Sequence, residues 1–171
     1  METDESKHEA QAGETREPAP PEIGEGFWSV SAFYEDTPAL GFLQMCVERR
    51  FHRAIQEKFE ELTKLAHNQY WIHTDVGGSP LMRTDLHRRA PDYCYEKQRV
   101  RIMGWAAHGS GCGGYGSHVT DEVILRDLRA MLSLRATQYR LAKHYAFFAV
   151  EDKKEPPTIN VWCIGPITGQ S

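Results

Sequence analysis

The sequence predicts a single α/β domain in which a mainly parallel β-sheet is flanked by helices. Short apolar runs alternate along the chain with helix-periodic stretches. Parallel strands need crossover connections of about a dozen residues or more, and the intervals between the runs supply them. The runs end in cysteine, histidine or glycine-rich turns, which is where ligands bind in such sheets.

Residues 1–26 read as a disordered acidic tail, and residues 27–171 as the domain. The first 25 positions hold eight acids and two bases, a charge of −6, which leaves the rest of the chain at +2 within the formal total of −4. Such a segment has too little apolar surface to fold. Order begins near Phe27-Trp28. The run at 39–45 (ALGFLQM) is long enough for a buried strand, and Cys46 ends it. Val47, Phe51, Ile55, Phe59, Leu62 and Leu65 then recur at spacings of three and four, one face of a helix, with Glu60 and Lys64 placed to pair outside. Residues 70–76 (YWIHTDV) are a second strand, stopped by Gly77-Gly78 and Ser79-Pro80.

Residues 81–98 are polar and read as irregular. Residues 99–106 (RVRIMGWA) are a third strand, running into His108-Gly-Ser-Gly-Cys112-Gly-Gly-Tyr-Gly116. Thr120, Asp121 and Glu122 suit a helix start through a side-chain cap and the helix dipole. Ile124, Leu125, Leu128, Met131 and Leu132 form that helix's buried face. The pattern of Tyr145 to Val150 fits a helix or a strand equally. Residues 159–164 (INVWCI) are a last strand, ended by Gly165-Pro166.

A nearly neutral domain offers no electrostatic footprint for nucleic acid. No stretch approaches the roughly 20 apolar residues of a membrane helix, and the acidic start is neither a signal nor a transit peptide. The expected location is the cytoplasm, where Cys46, Cys94, Cys112 and Cys163 are thiols or metal ligands rather than disulfides.

Cys46 closes the first strand, and His108 and Cys112 follow the third, so three soft donors can converge on one sheet edge. Thiolates and imidazole are the donors zinc prefers. Three protein ligands leave a fourth place for water, whose pKa zinc lowers. A Cys-His-Cys site of that kind can hydrate an electrophilic carbon. Each residue also has a structural reading: a buried cysteine packs as a small hydrophobe, and a histidine beside a glycine loop can be structural.

The order of motifs resembles the β-class carbonic anhydrases. Cys46-Val-Glu48-Arg-Arg50 stands where that family has Cys-x-Asp-x-Arg. Residues 70–78 resemble its second strand and turn, and residues 101–114 its strand with a His and a Cys-Gly-Gly. Val161 to Gly169 resembles its final strand and Thr-Gly element. The resemblance covers roughly residues 38–169 and implies the β-carbonic-anhydrase fold. It also implies one zinc bound by Cys46, His108 and Cys112, and a Glu48–Arg50 pair that orients the site or releases the metal. The implied activity is that of a lyase converting carbon dioxide and bicarbonate. The implied assembly is a homodimer or higher even oligomer, across which Phe27, Trp28, Phe33 and Tyr34 could pack.

Two departures stand out. Glu48 replaces the family's Asp, and His108-x-x-x-Cys112 is one residue longer than usual. Other readings of the same residues are a non-catalytic zinc-binding scaffold, with Cys94 or Cys163 closing the site, and a zinc hydrolase of a related small molecule. Glu48–Arg50 could be an ordinary surface pair. His52, His73 and His118 could lie close enough to shuttle protons. Gly109-x-Gly111-x-x-Gly114 formally matches a dinucleotide fingerprint, without the acidic strand end expected some 20 residues on.

Overall fold

The structure, a computed structural model, describes residues 39–81, 85–109 and 111–169. The expected acidic tail and the aromatic residues Phe27, Trp28, Phe33 and Tyr34 lie outside the described residues.

The sheet has five strands: β1 (Gly41–Cys46), β2 (Tyr70–Asp75), β3 (Ile102–His108), β4 (Lys143–Asp152) and β5 (Thr158–Thr168). Their order is β2-β1-β3-β4-β5. The first four are parallel, and β5 returns antiparallel to β4. Among the described residues three α-helices connect them: α1 (His52–Thr63), α2 (Asp85–Glu96) and α3 (Asp121–Gln138). Among the described residues no helix is long and apolar enough to cross a membrane.

Every residue of β1 is buried, which is why it reads as an unbroken apolar run rather than an alternation. Its alternate side chains enter two cores. Phe42 joins Met103, Trp105, Ile124, Leu128 and Leu132. Leu43 and Met45 join Ile55, Phe59 and Phe147. In the first core, the Trp105 indole N–H donates to His144 Nδ1 at 3.0 Å, and His144 Nε2 pairs with the Tyr139 carbonyl at 3.0 Å. Both ring nitrogens are thereby satisfied, and burial pushes the His144 pKa down, so this ring is neutral structure.

In the second core, Phe59 is fully buried and meets Tyr70 and Phe147 edge-on, with ring centroids 4.9 and 5.9 Å away. Gly104 makes room for it, since a Cβ there would stand 2.9 Å from the Phe59 ring and 2.7 Å from Leu43. Phe59→Ala is therefore expected to cost about 3–5 kcal/mol. Urea unfolding measures this, and a loss below about 1 kcal/mol would show that the ring does not organise this core.

The fold corrects several expectations. Residues 85–96 are helical rather than irregular. Tyr145 to Val150, whose pattern leaves helix and strand open, lies in β4. Gly165-Pro166 does not end β5, which runs on to Thr168 past a bulge opposite β4. An edge strand tolerates proline because it has no ladder partner on its outer side. Val47 is exposed, because it precedes the 3-10 turn at Arg49–Phe51 and so is not part of α1; Leu62, on α1 itself, is exposed too. Thr120 is the N-cap residue of α3, but its side chain does not bond the helix backbone. Glu60 takes the Tyr70 hydroxyl at 2.7 Å and His67 at 3.2 Å, while Lys64 sits beyond the helix end with φ 61°.

Candidate metal centre

Cys46 is the last residue of β1 and His108 the last of β3. Both strands point the same way, so their carboxyl ends share one edge. The loop after β3 brings Cys112 back to them. Cys46, His108 and Cys112 are all buried, and their ligand atoms lie within 4.8 Å of one another. Tetrahedral zinc with thiolate and imidazole ligands sets its donors roughly 3.5–3.8 Å apart, so modest side-chain adjustment closes these three on an ion.

Two turns meet at the site. Gly78, at φ +68°, has no room for a Cβ, which would stand 2.7 Å from the Ala106 carbonyl. Ser79 pins this turn: its hydroxyl donates to the Gln44 carbonyl at 2.9 Å and accepts the Ala106 N–H at 3.0 Å. A Cβ on Gly114 would stand 2.5 Å from Gly77 Cα, so the two turns pack backbone on backbone. Gly111, between His108 and Cys112, has φ +91°, the left-handed region that favours glycine.

The electrostatics suit a cation. A hydrogen bond from the Cys112 thiol holds the Cys46 sulfur well below the usual thiol range, against the opposing effect of burial; the His108 side chain, and then the Glu48 and Gly77 backbone N–H groups, lower it further. Cys112 is correspondingly pushed up, first by its bond to Cys46 and then by burial, while the Gly114 and Tyr115 amides donate to its sulfur. A thiophilic cation between the two sulfurs would take the place of that hydrogen bond.

His108 lies flat against Phe51, with centroids 4.3 Å apart and planes 13° apart. Its Nδ1 is 3.1 Å from the Gly109 carbonyl, which fixes the tautomer with the proton on Nδ1. Nε2 is buried and makes no well-aligned hydrogen bond, although the ring lies close enough to the Cys46 sulfur to help hold it low. A buried nitrogen without such a bond is costly unless something binds it. That nitrogen and the two sulfurs beside it fit zinc.

Glu48 and Arg50 do face each other. Glu48 has φ −66° and ψ 101° and precedes the 3-10 turn, so the two are not on a regular helix and their side chains meet at 3.2 Å. The guanidinium beside Glu48 holds its carboxyl below the usual range. Both side chains are substantially exposed, at 37% and 49%.

The remaining candidates separate cleanly. His52 Nε2 lies 2.6 Å from the Cys46 carbonyl and steadies the end of β1. His73 pairs with Gln44, and His118 is exposed. Cys94 and Cys163 are not among the clustered donors, and burial pushes both their thiols up. Against the nucleotide reading, a Cβ on Gly109 would stand 2.7–2.8 Å from the Asp121 carboxylate. A phosphate at the start of α3 would meet that negative charge.

The chain is similar to a solved β-carbonic anhydrase. That protein is from the fungal pathogen Aspergillus fumigatus; the match has 16% sequence identity and a TM-score of 0.40, and covers 67% of this chain and 71% of that one. So slight a likeness assigns no activity. No family model matches the chain, and no curated protein matches it.

Proposed function

We propose that this protein binds one zinc ion through Cys46, His108 and Cys112 and catalyses the reversible hydration of carbon dioxide to bicarbonate. The observation that carries the reading is the buried cluster of two sulfurs and one imidazole nitrogen at the carboxyl edge of a parallel sheet. Its donor types match zinc, and three protein donors are the pattern of catalytic rather than closed structural sites. Zinc held in this way supplies, when bound, the Lewis acidity that makes hydroxide available near neutral pH.

The chain's own residues tune that site. His108 offers Nε2 as a neutral donor because Nδ1–H is committed to the Gly109 carbonyl. Arg50 keeps Glu48 ionised beside the Cys46 turn. The β-carbonic-anhydrase order of motifs in the sequence supports the same assignment.

Carbon dioxide hydration by zinc-loaded protein tests the reading, with Glu48→Gln measured alongside. An amide cannot hold Arg50 as an ion pair. Loss of that orientation is expected to lower kcat/KM roughly 10- to 100-fold at unchanged zinc content. Full activity in the variant would remove Glu48 from the machinery.

A further inference from the structure

By sequence, Arg50 has one acidic neighbour, Glu48. In the fold it has two. Its Nη1 donates to Glu151 Oε2 at 2.8 Å, closer than the 3.2 Å between Nε and Glu48 Oε1. Glu151 lies on β4, two residues beyond Ala149, which pairs with His108 in the β3–β4 register. Strands β1 and β4 are not neighbours; β3 runs between them. The Arg50–Glu151 bridge therefore ties the turn after β1 to β4, across the end of the strand that carries His108.

The contacts continue inward. The Arg50 guanidinium carbon is 5.3 Å from the Phe51 ring centroid, and Phe51 stacks on His108 at 4.3 Å. The same turn presents the Glu48 N–H to the Cys46 sulfur. One short turn thus touches two of the three candidate ligands, and Glu151 is the partner that anchors it from another strand. We infer that Glu151 is a positioning residue of the metal centre: by holding Arg50 it keeps the 48–51 turn, and with it the His108 ring and the Cys46 sulfur, in register for the metal. This rests on the zinc reading above. Exposed ion pairs add little to global stability, so the expected effect lies in the metal site rather than in unfolding. Groups that orient metal ligands commonly change affinity 10- to 100-fold when removed, and solvent exposure places this one at the low end.

The test uses the full chain as wild type, Glu151→Gln, Arg50→Gln and the double variant. Two quantities are read: zinc release into excess chromophoric chelator, and the visible spectrum of the cobalt(II)-loaded form. Glu151→Gln is expected to release zinc about 3- to 10-fold faster and to shift the cobalt bands, with its thermal midpoint nearly unchanged. In the Arg50→Gln background the Glu151 change should add nothing, because its effect runs through Arg50. Unchanged release and spectrum in Glu151→Gln would overturn the inference, and so would an equal acceleration once Arg50 is already glutamine. In either case a zinc-loaded wild type leaves the zinc reading standing. A wild type that takes up no zinc overturns that reading, and this inference with it.

Discussion

Replacing Cys46 by alanine is expected to empty the site of zinc. The variant keeps one thiol and one imidazole, and loses the sulfur on which the Cys112 hydrogen bond and the Glu48 and Gly77 amides converge. Two protein donors fall short of the three or four that protein zinc sites use. Occupancy by elemental analysis should drop from one zinc per chain to below about a tenth. The fold should survive, because the change removes one buried sulfur from a core that extends through Phe42, Trp105 and Leu128, a loss of about 1 kcal/mol. Folding can be checked by circular dichroism on the same sample. Full zinc occupancy in a folded Cys46→Ala protein would place the metal elsewhere.

Gly114→Ala is expected to have the next largest effect on zinc binding. A Cβ there would stand 2.5 Å from Gly77 Cα and 2.6 Å from Gly77 N. Neither neighbour can rotate away, since both are backbone. The added methyl has to push apart two turns whose amides serve the two sulfurs, Gly77 that of Cys46 and Gly114 that of Cys112. Zinc affinity should fall about 10- to 100-fold by chelator competition. Overpacking should lower stability by roughly 1–3 kcal/mol. Gly113→Ala is the control, because a Cβ at Gly113 meets nothing within 4 Å. Equal affinities for the two variants would show that the packing of these turns does not tune the site.

Much of this arrangement was legible in the sequence, and the reasons differ by element. The apolar runs before Cys46 and His108 are buried on both faces, so they stand out without alternation, and their ends place the candidate donors. Helix α2 is hard to read because, over residues 87–96, the buried positions are Pro91 and Cys94, and the helix carries that proline in its interior. Strand β4 was ambiguous because an apolar run buried on both faces has no period to read. The extension of β5 past Pro166 depends on its being an edge strand, which only the sheet order reveals.

The site shows the same division. Cys46, His108 and Cys112 were readable as donor types following strands, and Glu48–Arg50 as a motif. Glu151 was not, since its bond to Arg50 spans 101 positions and depends on β4 lying next to β3. Phe51 was read only as a core residue of a helical face. Its stacking on His108 follows from the turn at Arg49–Phe51, which the heptad-like spacing of apolar residues conceals.

Stopped-flow carbon dioxide hydration by the wild type, with zinc counted on the same sample, is the most direct test of the proposed activity. The account predicts one zinc per chain and hydration above buffer that disappears on chelation, returns with zinc and rises with pH. The rate should lie below that of typical β-carbonic anhydrases, because a glutamate at position 48 and the longer His108–Cys112 spacing alter positioning, and a shift of about 1 Å can cost roughly 100-fold. A protein holding one zinc per chain with no hydration above buffer at any pH would contradict the catalytic claim and leave a zinc-binding protein of another kind.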